Sequence, residues 1–255
     1  MRQHAAALFF IPVVLIYCGA AAATEPAPGE QRPQTLSFDT DNSKNSAKGK
    51  IDYLLYLPQQ YDKNQQPWPL MLFLHGSGER GDDATRVDRN GPPRIVGREK
   101  GELPFVIVSP QCPKDAWWTD PQQLKNLNAL LDRILADYRI DARRIYLTGL
   151  SMGGFGTWHL AAAYPDRFAA IVPICGGGKP ADANRLRKLP IWVFHGADDQ
   201  IVPVARSEEM VEAIEQLGAD VRLTVYPKTG HDSYTESYKN PKLYSWLLKH
   251  KRPAD

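Results

Sequence analysis

The stretch Gly149-Leu150-Ser151-Met152-Gly153 constrains the fold of this chain more than any other. It follows the apolar run 145–148, which is typical of a strand, and precedes a run at 155–164 that is typical of a helix. A Gly-x-Ser-x-Gly sequence in that place predicts a tight strand-to-helix turn with closely approaching backbones. The serine hydroxyl is then exposed at the carboxyl end of the strand, beside the amide of Met152 at a helix N-terminus. The alternative is a turn whose serine only caps the helix.

Strand-like and helix-like segments alternate along the rest of the chain. The runs 70–74 and 105–109 are mostly apolar, as expected for strands buried on both faces of a parallel sheet. The segments 124–138 and 207–217 carry apolar residues at helical spacing. Further strands are predicted at 54–57, 170–175, 191–194 and 221–226, and a short helix at 243–248. This alternation predicts an α/β fold with a mostly parallel central sheet covered by helices on both faces.

The first 23 residues have the features of an export signal. Arg2 is followed by an apolar run and then by small residues suited to cleavage. The run is short for a transmembrane anchor, and the bulky Tyr17 before Cys18 disfavours lipid attachment. We therefore expect an exported protein, periplasmic or secreted, without stable membrane insertion after the signal is cleaved. Residues 24–35 are polar and rich in proline, which predicts a disordered leader, and residues 36–255 are expected to form a single domain.

The charges are nearly balanced, with 31 Lys and Arg against 29 Asp and Glu and a net charge of +2. A nucleic-acid-binding domain needs a basic excess on one face, so no nucleic-acid partner is expected. The acidic residues between 79 and 88 lack the fixed spacing of a metal-binding loop, so no metal is predicted. No other cofactor is predicted either.

Side chains with catalytic chemistry follow the ends of four predicted strands. They are His75-Gly76-Ser77-Gly78, Ser151, His195-Gly196-Ala197-Asp198-Asp199, and Gly230-His231. Ligands of such sheets bind outside the carboxyl ends of the strands, so these groups are expected to converge. The chain order Ser, Asp, His is that of α/β-hydrolase triads.

Taken together, His75-Gly76, the Gly149–Gly154 stretch, His195-Gly196-x-x-Asp199-x-x-Val202-Pro203 and Gly230-His231 resemble the α/β-hydrolase superfamily. The strongest likeness is to its secreted esterase and dienelactone-hydrolase-like branch, which also holds carboxylesterase/phospholipase-type and polyester-depolymerase-type enzymes. The stretches 76–81, 110–113 and 173–178 fit that branch, and the resemblance covers residues 50–249. It implies an α/β-hydrolase fold. Because no long hydrophobic insertion follows the strands at 70–74 or 170–175, no large lid domain is expected.

The resemblance assigns the catalytic roles. Ser151 is the expected nucleophile, His231 the base and Asp199 the carboxylate that orients it. The amides of Met152 and Ser77 are the expected oxyanion donors. Spacing alone does not separate Asp198 from Asp199, but the family pattern selects Asp199, and a helix entry near Pro203 leaves the loop few residues in which to aim one carboxylate.

Other side chains in these loops have structural alternatives. One of Trp117 and Trp118 is expected to contact substrate, with Trp118 as the candidate, against simple packing. Glu79 and Arg80 are further candidates, against a solvated charged loop. His75 and His195 are expected to brace their loops. Cys112 and Cys175 are expected to be unpaired, because two strands lie between them in the family's sheet order.

These features predict a serine carboxylic-ester hydrolase, an esterase that works through an acyl-enzyme. Its expected substrates are short-chain or aryl esters, as small molecules or attached to a polymer. A peptidase of the same fold is one alternative, but such enzymes usually add a gating domain. A non-catalytic binding module on a hydrolase scaffold is another, but it predicts a damaged triad.

Overall fold

The computed structural model describes residues 25–39 and 48–253; the predicted signal at 1–23 lies outside them. The strands are β1 (Gln31–Asp39), β2 (Lys48–Tyr56), β3 (Trp68–Leu74), β4 (Val106–Pro110), β5 (Ile140–Leu150), β6 (Ala170–Ile174), β7 (Ile191–Gly196) and β8 (Val221–Tyr226). The helices are α1 (Gly91–Gly97), α2 (Pro121–Asp137), α3 (Met152–Ala163), α4 (Ala183–Leu186), α5 (Ala205–Glu215), α6 (Ser233–Lys239) and α7 (Pro241–Leu247).

The eight strands form one sheet in the order β1-β2-β4-β3-β5-β6-β7-β8. The pairs β1–β2 and β2–β4 are antiparallel, and every pair from β4 to β8 is parallel. The carboxyl ends of β3, β5, β7 and β8 therefore lie along the same edge of the sheet. The loops that carry the predicted catalytic residues follow these ends.

The core lies on both faces of the sheet, as predicted. Alternate residues of β3 point to opposite sides, with Leu70 and Leu72 in one buried cluster and Met71 and Phe73 in the other. The first cluster packs against α2, α3 and α5, and the second against α1, α6 and α7. The sheet therefore lies between two layers of helices, one on each face.

The expected disordered leader is wrong for its second half. Residues 31–35 form the start of β1 and pair with β2 from Gln31↔Tyr56 to Thr35↔Asp52. Residues before them are also attached, since the Gly29 amide donates to the Leu57 carbonyl at 2.8 Å. An edge strand keeps much of its surface in water, so a polar composition with Pro33 is compatible with pairing. Composition alone does not separate such a strand from a disordered segment.

Helices α1 and α6 were also not predicted. Helix α6 has the sequence Ser-Tyr-Thr-Glu-Ser-Tyr-Lys, without an aliphatic stripe, and buries Ser233, Ser237 and Tyr238. Helix α1 begins Gly-Pro-Pro, which reads as a turn, although proline is favoured in a first helical turn. Within the described ranges, no helix is both long and apolar enough to cross a membrane.

Candidate active site

Ser151 occupies the single residue between β5 and α3. Its φ is +53° and its ψ is −117°, a conformation that costs a non-glycine residue about 1–3 kcal/mol. Its amide donates to the Ile174 carbonyl at 3.0 Å, and its carbonyl accepts from the Phe155 amide at 3.0 Å. A Cβ built on Gly153 would overlap the backbone carbonyl of Leu74, so only glycine fits there. The surrounding backbone thus imposes the strained turn that the sequence predicts.

The structure brings Ser151, His231 and Asp199 into one hydrogen-bonded chain. His231 Nε2 lies 2.9 Å from Ser151 Oγ, and His231 Nδ1 lies 2.7 Å from Asp199 Oδ2. A carboxylate only accepts hydrogen bonds, so Nδ1 carries the proton and Nε2 is left to accept from the serine hydroxyl. This is the tautomer that lets a histidine act as a general base toward the serine.

Asp199 is held on both of its oxygens. Its Oδ1 accepts from the amides of Ile201 and Val202, both at 2.9 Å, while Oδ2 faces His231. Burial alone would raise the pKa of Asp199, but the hydrogen bonds from His231, Val202 and Ile201 and the charge on His231 outweigh it and lower the pKa below its ordinary value. The carboxylate is therefore ionised at neutral pH. The neighbouring Asp198 is exposed.

His195 braces the carboxylate loop, as predicted. It is fully buried, and its Nε2 donates to the Val202 carbonyl at 2.8 Å and lies 3.2 Å from Asp199 Oδ2. Its Nδ1 lies 2.7 Å from Ser207 Oγ, which is also 3.0 Å from the Gly176 carbonyl oxygen. Ser207, on α5, thus connects His195 to the Gly176 carbonyl, which lies just after β6. Sequence reasoning missed it, because a serine on a helix carries no pattern that marks this contact.

The two predicted oxyanion donors lie beside the nucleophile. Met152 is the first residue of α3, and Ser77 is the first residue of a 3₁₀ turn that ends at Glu79. First-turn amides have no acceptor within their own helix, so both are available to a ligand. A Cβ built on Gly76 would lie 3.8 Å from Ser151 Cβ. The backbone that leads into Ser77 therefore lies against the serine.

Hydrogen bonds of His75 and Trp118 hold the backbone that leads into the 3₁₀ turn Ser77–Glu79. The Cys112 amide donates to His75 Nε2 at 2.9 Å, so His75 Nδ1 carries the proton and donates to the Gly76 carbonyl at 2.6 Å. Burial, aided by the charge of Arg80 and opposed by the Gly76 hydrogen bond, lowers the pKa of His75 to about 4. Trp118 Nε1 donates to the His75 carbonyl at 3.0 Å.

This corrects the prediction that Trp118 contacts substrate. Its side chain is 0% exposed and packs edge-on to the His75 ring, with the ring centroids 5.1 Å apart. A Cβ on Gly156 would collide with it, so α3 also closes over the indole. Its neighbour Trp117 is 47% exposed.

Glu79 and Arg80 have different surroundings. Glu79 is 6% exposed, which corrects its predicted place on a polar rim or solvated loop, and its Oε1 accepts from Asn90 Nδ2 at 2.7 Å. Burial raises the pKa of Glu79, although the Asn90 hydrogen bond and nearby arginines oppose this. Arg80 is half-buried and donates from Nε to the Ser77 carbonyl at 3.2 Å. It lines an open cleft that begins at Ser77.

Comparison with known proteins places the chain among ester hydrolases. A family model described as phospholipase/carboxylesterase matches residues 109–244, more than half of the chain. A solved thermostable esterase has a TM-score of 0.71 and 34% identity, over 86% of this chain and 63% of that one. The family match and this structural similarity confirm the α/β-hydrolase fold.

Two curated relatives are esterases by name. A bifunctional acetylxylan esterase/xylanase of Neocallimastix patriciarum is 28% identical over 165 residues, 64% of this chain and 23% of that protein. A probable feruloyl esterase C of Aspergillus niger is 26% identical over 188 residues, 73% of this chain and 67% of that protein. The matched segment thus spans about a quarter of the first relative and two thirds of the second.

Proposed function

We propose that this chain, which belongs to the phospholipase/carboxylesterase family of α/β-hydrolases and is a carboxylic-ester hydrolase, works through an acyl-enzyme formed on Ser151. The observation that carries this proposal is the hydrogen-bonded chain from Ser151 Oγ to His231 at 2.9 Å and from His231 to Asp199 at 2.7 Å. A nucleophile, a base and an orienting carboxylate are the minimum set for acyl transfer by a serine.

Acylation follows from the geometry of these groups. Ser151 Oγ attacks the ester carbonyl carbon while His231 Nε2 takes the hydroxyl proton, and the ionised Asp199 stabilises the resulting imidazolium. The carbonyl oxygen becomes an oxyanion and accepts from the amides of Met152 and Ser77. When the carbon–oxygen bond to the alcohol breaks, His231 returns the proton to that leaving oxygen. The acyl group remains bound to Ser151.

Deacylation repeats these steps with water. His231 takes a proton from a water molecule that attacks the acyl carbon, and the oxyanion again accepts from the two amides. The bond to Ser151 Oγ then breaks and Oγ recovers its proton from His231. Because Met152 and Ser77 are set in place by α3 and by the His75 contacts, the donors need little reorganisation during either step.

We propose short-chain or aryl esters as the substrates, either free or attached to a polymer. No long hydrophobic insertion follows β3 or β6 that could enclose a long acyl chain. Two relatives whose names include acetylxylan and feruloyl esterase agree with a small acyl group on a polysaccharide. Acetate and ferulate decorations are the proposed natural targets.

A series of p-nitrophenyl esters from acetate to palmitate tests this function. We expect kcat/KM to be highest for two to four acyl carbons and the activity to be lost in Ser151→Ala. The matching p-nitroanilides test the peptidase alternative and are expected to react far more slowly. Maximal activity on long chains would overturn the substrate proposal, and unchanged activity of Ser151→Ala would overturn the mechanism.

Export is a separate proposal, supported by the signal-like residues 1–23. Expression of the full chain, followed by N-terminal sequencing of the protein from periplasm and medium, tests it. A mature N-terminus near Thr24 is expected. Recovery of only uncleaved protein from the cytoplasm would contradict export.

A further inference from the structure

A cleft of about 600 Å³ opens next to the oxyanion turn. It is lined by Ser77, Arg80, Asp82, Arg86, Pro113 and Lys114. Ser77 also carries one of the proposed oxyanion amides. A group bound in this cleft therefore belongs to the part of a substrate next to the ester carbonyl.

The cleft has an excess of positive charge. Arg80, Arg86 and Lys114 line it against the single carboxylate of Asp82. No ion pair among the described residues includes any of these three cations. The nearby Glu79 is buried and directs Oε1 to Asn90. No described carboxylate therefore forms an ion pair with these cations, although Arg86 lies near enough to Glu79 and Asp83 to favour their charged forms.

Both arginines are held in place by neutral acceptors. Arg80 donates to the Ser77 carbonyl at 3.2 Å and to the Ala116 carbonyl at 3.3 Å, and its guanidinium lies 5.2 Å from the centroid of the Trp117 ring. Arg86 Nη2 donates to the Gly78 carbonyl at 3.2 Å. Carbonyl and aromatic contacts orient a guanidinium but do not neutralise it, and each guanidinium has five N–H donors. Oriented, unneutralised guanidinium groups are suited to binding a carboxylate.

A second cleft offers a comparison within the same molecule. It lies between α1 and α6 and is lined by Arg94, Lys239 and Glu99. Arg94 and Glu99 form an ion pair at 2.8 Å, so the arginine there is already neutralised. Neither Arg80 nor Arg86 is in such an ion pair among the described residues.

We propose that this cleft binds a carboxylate carried by the ester substrate, on the alcohol or the acyl part, and so gives the enzyme a preference for anionic esters. The inference rests on the proposed esterase function and adds a substrate class to it. A uronic acid residue next to an acylated sugar is an example of the alcohol-side arrangement, and the monoester of a dicarboxylic acid is an example of the acyl-side one.

Matched substrate pairs test the two arrangements. The alcohol-side pair is 4-acetoxybenzoate with 4-acetoxybenzamide, and the acyl-side pair is mono-p-nitrophenyl glutarate with p-nitrophenyl pentanoate. Each kcat/KM is divided by the rate of alkaline hydrolysis, which removes differences in intrinsic reactivity. We expect one pair to favour its anionic member by about 10-fold or more at low salt. The ratio should fall as salt is added.

Charge variants test whether the cleft is the source of the preference. Lys114 is exposed, so Lys114→Glu reverses a charge in the cleft with little effect on packing, and it should lower the anionic-to-neutral ratio several-fold. Arg86→Gln should lower it as well. The matched control is Lys125→Glu on the exposed face of α2, which should leave the ratio unchanged.

Binding to the Ser151→Ala protein separates this proposal from the esterase function. Isothermal titration should show 4-acetoxybenzoate binding more tightly than 4-acetoxybenzamide, or mono-p-nitrophenyl glutarate binding more tightly than p-nitrophenyl pentanoate. If the wild type hydrolyses neutral esters but shows no anionic preference in either pair, the carboxylate site is wrong and the esterase remains. If no ester is hydrolysed but the carboxylate still binds and Lys114→Glu weakens it, the esterase function is wrong and the site remains.

Discussion

Replacing Asp199 by Asn changes one atom of the proposed triad and tests its geometry directly. The amides of Ile201 and Val202 donate to Oδ1 at 2.9 Å, so the asparagine must place its oxygen there. Its NH₂ group then takes the position of Oδ2, which is 2.7 Å from His231 Nδ1. An amide NH₂ only donates, so it favours the tautomer with Nδ1 unprotonated and the proton on Nε2. That proton faces Ser151, and the base is lost.

The expected loss in kcat is large. A histidine held in the wrong tautomer, without a carboxylate to stabilise its charged form, lowers kcat by about 10⁴ in a serine protease. At about 1.4 kcal/mol for each factor of ten, this corresponds to about 5 kcal/mol of transition-state stabilisation. The assay is kcat on p-nitrophenyl acetate, corrected for the background of Ser151→Ala. We expect a loss of three to four orders of magnitude.

The adjacent Asp198→Asn is the matched control. Asp198 is exposed and its amide donates to the Thr229 carbonyl, which the substitution does not alter. Its kcat should stay within a factor of about three of the wild type, because surface substitutions of this kind are usually small in effect. Circular dichroism and urea unfolding establish that both variants are folded. A folded Asp199→Asn enzyme with kcat within tenfold of the wild type would refute the orienting role of this carboxylate.

Three further predictions concern stability and the thiols. Gly153→Ala places a methyl group on a backbone carbonyl of β3, so the free energy of unfolding measured in urea should fall by more than about 3 kcal/mol. Gly78→Ala is the control, because no atom lies within 4 Å of a Cβ built there, and it should not show this fall. Burial lowers the pKa of His75 to about 4 in the folded state, whereas its pKa in the unfolded state is about 6.5. Between pH 4 and pH 6.5, His75 is therefore protonated to a greater extent in the unfolded state than in the folded state. Stability should therefore fall as the pH is lowered from about 6.5 to 4, by up to about 1.4 kcal/mol per pH unit, and His75→Asn should lose this part of the slope in pH-dependent urea unfolding. Thiol titration of the denatured, unreduced protein without residues 1–23 should find both Cys112 and Cys175 free, and an absence of free thiols in a monomer would contradict the sheet order.

The sequence predicts the parallel part of the sheet and much of the candidate site, because both depend on local patterns. Strands β3 and β4 are apolar along most of their length, and this marks burial on two faces. The Gly-x-Ser-x-Gly sequence predicts the serine turn because it lies between a strand-like run and a helix-like run. The antiparallel edge is different, since β1 is polar and gains its order only by pairing with β2. Its stability is a tertiary effect that composition does not report.

The same difference between local patterns and tertiary contacts applies to His75 and His195. A histidine directly after a predicted strand end predicts a loop brace; in the structure His75 directly follows β3, and His195 is the next-to-last residue of β7. Their partners are not predictable in this way. His195 contacts Ser207, which lies 12 residues later on α5, and His75 accepts from the Cys112 amide, 37 residues later. Such contacts depend on how two separate elements pack.

Two pairs of adjacent, chemically similar residues show where local reasoning stops. Asp199 rather than Asp198 lies beside His231, and the groups that fix its carboxylate, the amides of Ile201 and Val202, belong to the same short loop. The contacts that distinguish the two aspartates are thus local, and the family pattern selected Asp199 with the shortness of this loop as support. Choosing between Trp117 and Trp118 requires the His75 carbonyl, 43 residues earlier, which binds Trp118 Nε1 and draws the indole into the core. The adjacent Trp117 stays exposed and lies against Arg80, whose guanidinium is 5.2 Å from the centroid of its ring, so the packing that buries one tryptophan leaves the other for this surface contact.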